Sequence, residues 1–190
     1  MIPLGYMARK IAKKDDWLKA PPHVEEICSA NCCGYLSKCF CDCIKHWKHN
    51  GWWFFDSPDV IRAVAEAEET DLGDTRLHYY EAFEKQYDDA ECEWKFFEPE
   101  PSFATNVKLP EDADKRFLGF DIVTFSLQTS PECSPLSCNG LANEIPTNKH
   151  CLLDDLDEAK RLLESGEFHS DEPGPFRIIA VYEVKNGANR

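Results

Sequence analysis

The cysteines nearest the N-terminus have a spacing that could bind a metal ion. The chain has 190 residues and ten cysteines. Zinc requires four thiolate or imidazole ligands that converge in a tetrahedron, and two pairs of cysteines, each separated by three residues, could supply them. One pair would lie on a turn, and the other would lie one turn apart on a helix, with a histidine on the same face. The candidate zinc ligands are Cys28, Cys32, Cys39, Cys43 and His46.

A simpler interpretation of these cysteines stays open. Zinc signatures usually have pairs separated by two residues, which flank a longer insert. Cys39 and Cys43 also border an apolar stripe on the predicted helix, so they could be ordinary buried thiols. That helix is predicted from Ser37 to about His49, and its stripe consists of Leu36, Phe40, Ile44 and Trp47.

A second candidate site lies in residues 128–150, a long segment rich in Cys, Ser, Pro and Asn. Loops longer than about 15 residues are uncommon inside compact domains and are often functional. Cys138, or Cys133, could act as a thiol nucleophile with His150 as its base, since this chemistry needs the two groups at hydrogen-bond distance. Asp121, an acid in an otherwise apolar stretch, could orient the base.

The same segment has two other interpretations. Cys133 and Cys138 could bind zinc together with either His150 or Cys151, but neighbouring residues on a strand point to opposite faces and would not bind together. Alternatively, the segment is a loop fixed by its own turns, because Ser-Pro, Asn-Gly and Ile-Pro pairs recur along it.

The composition describes an acidic chain with enough apolar material for a core. The net charge is −14, and 43% of the residues are hydrophobic. Residues 1–50 hold eight Lys and Arg against five Asp and Glu, whereas the remaining 140 hold 13 against 30. An acidic surface repels phosphate backbones, which disfavours general nucleic-acid binding and favours a basic protein partner. No stretch approaches the roughly 20 apolar residues of a membrane span.

The pattern of predicted helices and strands, which would position these residues, indicates an α+β fold. We expect one domain over residues 1–190, with a mostly antiparallel sheet of about four to six strands and two or three packed helices. Residues 1–20 read as a basic amphipathic N-terminal helix, and helices are also predicted to begin near 57 and 155. Strands are predicted near 24–29, 52–55, 77–87, 92–97, 117–127 and 176–184.

Two segments have the same order of predicted structural elements. Residues 54–57 lead through an acidic cap into a helix and then a strand, and residues 152–155 do the same. This similarity could reflect duplication, but acidic caps are common, so we favour coincidence.

These features lead to two hypotheses on function. Enzyme signatures such as a nucleotide-binding glycine loop are missing, and the first residues lack a secretory signal, so we expect a cytoplasmic compartment with reduced thiols. The first hypothesis is a non-catalytic protein that binds a macromolecule, as an inhibitor, an immunity-type protein or a regulator. The alternative is a zinc-binding or thiol-dependent protein, with zinc as the possible cofactor.

Overall fold

The N-terminal residues form a strand that is buried on both faces. The computed structural model describes residues 1–13, 20–31, 38–45, 49–97, 105–125, 131–168 and 173–185. Within them, β1 covers Ile2–Lys10, and its residues 4–9 are all buried. The predicted helix at 1–20 is therefore wrong over this range. A strand covered on both faces has a continuous apolar run, which can be mistaken for helical spacing. Residues 14–19 lie outside the described residues.

The described residues form eight strands and three α-helices. The strands are β1, β2 (Ala12–Lys13), β3 (Glu26–Ile27), β4 (Lys38–Cys39), β5 (Arg76–Asp88), β6 (Glu93–Phe96), β7 (Lys115–Thr124) and β8 (Phe176–Val184). The α-helices are α1 (Pro58–Ala67), α2 (Pro135–Cys138) and α3 (Leu156–Glu164). Short 3-10 helices cover Phe40–Asp42, Asp112–Asp114 and Leu141–Asn143.

One antiparallel sheet dominates the fold. Its strand order is β4-β1-β5-β8-β7, with β6 paired to β5, while β2 and β3 form a separate ribbon. Every strand pair in the described residues is antiparallel. The prediction of an α+β fold with a mostly antiparallel sheet is therefore confirmed. No helix in the described part of the chain is long and apolar enough to cross a membrane.

Two local predictions on the cysteine-bearing segments need correction. The helix predicted from Ser37 is replaced by β4 and the 3-10 helix Phe40–Asp42, while residues 46–48 lie outside the described residues. The segment 128–150 is not a plain loop where it is described, since residues 131–150 contain α2 and the 3-10 helix Leu141–Asn143. Alternating Cys and polar residues give no clear period, so local patterning could not distinguish these conformations.

A partly buried hairpin-like turn precedes α1 and is fixed by Asn50. The Asn50 Nδ2 donates to the Leu4 carbonyl at 2.8 Å and to Asp56 Oδ1 at 3.0 Å. The Asn50 backbone N–H donates to the Phe54 carbonyl, which closes the turn. Ser57 then caps α1 by accepting a hydrogen bond from a backbone N–H of the first turn.

The same turn precedes α3 and is fixed by Asn148. The Asn148 Nδ2 donates to the Leu118 carbonyl and to Asp154 Oδ1, both at 2.8 Å. The Asn148 backbone N–H donates to the Leu152 carbonyl at 2.7 Å. Asp155 caps α3. Each asparagine thus lies six residues before the carboxylate that receives its second hydrogen bond.

The sheet continues this correspondence across its centre. Gly5 pairs with Tyr80, Tyr80 pairs with Val181, and Val181 pairs with Gly119. Both glycines follow a register shift and have positive φ, +125° for Gly5 and +144° for Gly119. We conclude that β1, α1 and β5 repeat as β7, α3 and β8 about an approximate twofold axis through the Tyr80–Val181 pair. The sequence similarity near residues 54 and 152 is part of this repeat.

Candidate metal centre

The segment 24–31 is hydrogen-bonded to the Asn148 turn. The backbone N–H groups of Glu25 and Glu26 donate to the Lys149 carbonyl at 2.9 and 3.1 Å. The backbone N–H of Cys28 donates to the His150 carbonyl at 3.1 Å. These bonds hold the side chains of residues 26 and 28 beside that of residue 150, although the chain separates them by more than 120 residues.

Glu26, Cys28 and His150 converge to form the candidate metal centre. Glu26 Oε1 lies 2.8 Å from His150 Nδ1, and Cys28 Sγ lies 3.8 Å from Glu26 Oε1 and 4.0 Å from His150 Nδ1. All three ligand atoms lie within 4.8 Å of one another. Cys28 is 1% exposed and His150 is 7% exposed. A carboxylate, a thiol and an imidazole are each ligands that zinc accepts.

The Asn148 turn positions the imidazole. Asn148 Oδ1 accepts the backbone N–H of His150 at 2.8 Å, which fixes the start of the turn at that residue. Cys151 follows with a φ of 61°. In the first repeat the equivalent residues are Trp52 and Trp53. The backbone N–H of Trp52 donates to Asn50 Oδ1, and Trp53 has a φ of 65°. The first repeat thus has an apolar side chain, Trp52, at the position where the second repeat has His150.

Charges around the thiol control its protonation. Burial and then the Glu26 carboxylate raise the pKa of the Cys28 thiol well above its ordinary value. The Arg76 guanidinium lowers the pKa of the Cys28 thiol, but it is already paired with carboxylates. It lies 2.8 Å from Glu26 Oε2 and 3.9 Å from Glu183. The thiol is therefore neutral unless a stronger positive charge, such as a divalent cation, binds beside it.

The geometry favours convergent ligation over nucleophilic catalysis. In a thiol-imidazole-carboxylate relay, the thiol and the carboxylate use different nitrogens of the ring. Here Cys28 and Glu26 both approach the Nδ1 atom of His150. A neutral, buried thiol is also a poor nucleophile.

The predicted combination of Cys138, His150 and Asp121 is not joined by hydrogen bonds in the described residues. His150 contacts Glu26 and Cys28 instead. Cys138 lies at the end of α2, close enough to Asp121 for its charge to raise the pKa of that carboxyl group. Asp121 thus lies near Cys138, whereas the His150 side chain is directed to Glu26 and Cys28.

Asp121 fastens the segment 24–31 to β7. Its Oδ2 accepts hydrogen bonds from Ser134 Oγ at 2.7 Å, from the Ala30 backbone N–H at 2.7 Å and from Ser29 Oγ at 3.1 Å. Asp121 is 1% exposed, and this burial raises its pKa to about 6. The carboxylate therefore orients the chain next to Cys28 and does not orient His150.

The other predicted zinc ligands are distributed differently. Cys39 belongs to a second group, with Cys41 and Asp42, whose ligand atoms also lie within 4.8 Å of one another. Cys43 is exposed. Cys32 and His46 lie outside the described residues. Within the described residues, therefore, Cys28 and Cys39 are assigned to separate groups.

Glu26 was not predicted as a candidate ligand, and Cys28 and His150 were predicted to belong to different sites. The only local signal for Glu26 is its alternation with Cys28, which puts both side chains on the same side of an extended segment. Pairing either residue with His150 requires knowledge of the contact between the segment 24–31 and the Asn148 turn.

Comparison of the chain with family models, with curated proteins and with solved structures finds no match.

Proposed function

We propose that the protein binds one zinc ion through Glu26, Cys28 and His150, and that this ion clamps the segment 24–31 to the Asn148 turn. The observation that carries the proposal is the convergence of three different zinc-ligating groups from distant parts of the chain at a buried point. This develops the zinc-binding alternative from the sequence, with a different set of ligands.

After a small adjustment, the distances support ligation by these three side chains at three corners of a tetrahedron, with a water molecule as the fourth ligand. With Zn–S near 2.3 Å and Zn–N or Zn–O near 2.1 Å, tetrahedral ligands lie roughly 3.4–3.6 Å apart. The two distances from Cys28 Sγ, 3.8 and 4.0 Å, need only a slight contraction. The 2.8 Å contact between Glu26 and His150 is a hydrogen bond that must lengthen when a cation replaces the shared proton.

The burial of the centre supports a structural role for the ion. Structural zinc contributes directly to folding stability, because the ligands are not preorganised in the unfolded chain. At a free zinc concentration 1,000 times the dissociation constant, binding would add about 4 kcal/mol to the free energy of unfolding. Binding of a basic protein partner, suggested by the charge of residues 51–190, stays a separate prediction.

Zinc affinity measured by competition with a chromophoric chelator tests the proposal. We expect one tight site in the wild-type protein, and a loss of at least about 100-fold in affinity in Cys28→Ser and His150→Gln variants. Cys92→Ser is the matched control, since Cys92 is an exposed thiol on the β5–β6 connection. Equal affinity in wild type and both site variants would contradict the proposal.

The same experiment must distinguish zinc binding at the proposed site from zinc binding at the second group of candidate ligands, Cys39, Cys41 and Asp42. A Cys39→Ser, Cys41→Ser double variant removes the thiols of that group. We expect it to keep the tight site. If the double variant loses tight binding and Cys28→Ser keeps it, the metal binds elsewhere and the proposed ligands are wrong.

A further inference from the structure

A pair of thiols outside the candidate metal centre lies unusually close together. Cys39 Sγ and Cys41 Sγ are 2.9 Å apart, at the junction of β4 and the 3-10 helix Phe40–Asp42. Cys39 is 2% exposed and Cys41 is 7% exposed. Cys39 was predicted to be either a zinc ligand or an ordinary buried thiol, and Cys41 had no predicted role.

We propose that Cys39 and Cys41 form a reversible disulfide when the protein meets hydrogen peroxide. A disulfide bond is about 2.05 Å long, so the two sulfurs need to approach each other by less than 1 Å. This proposal is independent of zinc binding at Glu26, Cys28 and His150.

Asp42 supplies a proton acceptor for the first step. Its Oδ2 lies 3.4 Å from Cys39 Sγ and also accepts the Cys39 backbone N–H at 3.1 Å, which fixes the carboxylate beside the thiol. The hydrogen bond with Cys39, followed by burial, raises the pKa of the Cys41 thiol. Because Asp42 can accept the proton of Cys39, we assign Cys39 as the attacking sulfur and Cys41 as the protonated partner that resolves the intermediate.

The cavity beside the thiols selects a small oxidant. It has a volume of about 40 Å³ and is lined by Cys39, Cys41 and Arg9, with Trp53, 41% exposed, among its other walls. One water molecule requires roughly 10–15 Å³ of such cavity volume, so the cavity admits a molecule of the size of peroxide and excludes a tripeptide such as glutathione. Arg9 only partly offsets the burial and the neighbouring groups that raise the pKa of the Cys41 thiol, so that thiol stays protonated.

The reaction balances in two steps. Cys39 transfers its proton to Asp42, and its sulfur attacks one peroxide oxygen; an S–O bond forms, the O–O bond breaks, and the departing hydroxide takes the proton from Asp42 as water. The Cys41 sulfur then attacks the Cys39 sulfenic acid; the S–S bond forms, the S–O bond breaks, and the hydroxide leaves as water with the Cys41 proton. Two thiols are oxidised, and one peroxide is reduced to two waters.

The disulfide would be easily reduced. It closes a loop with a single intervening residue, Phe40, and strained disulfides have more oxidising potentials than ordinary structural ones. Reduction by a dithiol or a phosphine restores both thiols, which makes the modification reversible.

Mass spectrometry of the tryptic peptide 39–45 tests the proposal. Trypsin cleaves after Lys38 and Lys45, so this peptide contains Cys39, Cys41 and Cys43. After treatment of the native protein with peroxide and blocking of remaining thiols, we expect the peptide to lose two hydrogen atoms and to carry one blocked thiol. A phosphine should reverse the change.

Two variants locate the bond. Cys43→Ser should keep the loss of two hydrogens, because Cys43 is exposed and takes no part. Cys41→Ser should abolish it and leave a Cys39 sulfenic acid that a 1,3-dione traps. Tandem fragmentation of the wild-type peptide gives the same assignment if a variant fails to fold.

The outcomes that overturn the proposal are specific. They are an unchanged peptide after peroxide treatment, a bond that needs Cys43 or joins Cys39 to another cysteine, and formation of the disulfide with glutathione disulfide but not with peroxide. Oxidation of the exposed Cys92 alone, with residues 39–45 unchanged, would equally overturn it.

Discussion

Asn50 and Asn148 occupy equivalent positions in the two repeats of this fold. Each amide donates to a carbonyl one residue before a strand glycine, Leu4 before Gly5 and Leu118 before Gly119. Each also bonds a carboxylate six residues later in the chain. The two turns differ in the residue two positions after the asparagine, which is Trp52 in the first repeat and His150 in the second.

Substitution of each asparagine separates the effect of its turn on protein stability from its effect on zinc binding. We expect Asn50→Ala and Asn148→Ala each to lower the free energy of unfolding by about 2 kcal/mol, since each removes several hydrogen bonds in a partly buried turn. Only Asn148→Ala should weaken zinc binding, by about 10- to 100-fold, because Asn148 orients the backbone of His150. Urea unfolding and chelator competition give the two quantities. Equal losses of zinc affinity in both variants would contradict the special position of Asn148.

The two strand glycines should not tolerate a side chain. A Cβ atom at Gly5 would lie 2.6 Å from the Phe55 carbonyl oxygen, and one at Gly119 would lie 2.7 Å from the Leu153 carbonyl oxygen. Because φ is also positive at both, we expect Gly5→Ala and Gly119→Ala each to cost more than about 2 kcal/mol of stability.

Gly73→Ala serves as the control for both glycines. The added Cβ there meets only the Asp71 side chain, at 3.2 Å, so we expect a change within about 0.5 kcal/mol in the same unfolding assay. A Gly119→Ala variant as stable as Gly73→Ala would show that the Asn148 turn does not approach β7 as described.

Asp121 should make stability fall as pH rises from 4 to 6. Burial raises its pKa to about 6 in the folded protein, against 3.8 ordinarily, so the folded state binds the proton more tightly. Between these pH values only the folded state keeps the proton, and unfolding releases it; a higher pH therefore favours unfolding. The two-unit difference corresponds to about 3 kcal/mol.

Comparison with an Asp121→Asn variant isolates this effect. Urea unfolding at pH 4, 5, 6 and 7 should show the wild type losing about 2 kcal/mol relative to the variant between pH 4 and 6, and little more above pH 7. Asp112→Asn, at a side chain that is 94% exposed, should show no such trend. A stability difference between wild type and Asp121→Asn that does not change with pH would contradict the burial of a raised carboxyl pKa.

Zinc affinity should depend on pH through the Cys28 thiol. Burial and the Glu26 carboxylate raise the pKa of that thiol, so it is protonated at neutral pH and must lose its proton to bind a metal. We expect the zinc association constant to rise about tenfold from pH 7 to pH 8. Chelator competition at both values, corrected for the protonation of the chelator, measures this. A pH-independent constant would mean that the thiol is not a ligand.

Patterns with one clear period were predicted well from the sequence. The strand 176–184 is apolar on both faces and is β8, and the cap residues Ser57 and Asp155 begin α1 and α3 where expected. The apolar run in residues 4–9 was misread, because a fully buried strand and one face of a helix present similar residues over so short a length.

The site was harder to predict, because it depends on contacts between distant segments. Cys28 and His150 were both recognised as reactive types, but they meet only through backbone hydrogen bonds between the segment 24–31 and the Asn148 turn. Glu26 had no signal of its own among the many acidic residues. The repeat was visible only as an acidic cap after two apolar residues, since the asparagine that defines it lies six residues earlier.

The most direct test of the zinc clamp is the anomalous diffraction of crystals grown with zinc, measured on both sides of the zinc absorption edge. The account predicts one strong anomalous peak about 2.0–2.3 Å from Glu26 Oε1, Cys28 Sγ and His150 Nδ1. Absence of a peak there, with these three side chains ordered and Glu26 still hydrogen-bonded to His150, would contradict it.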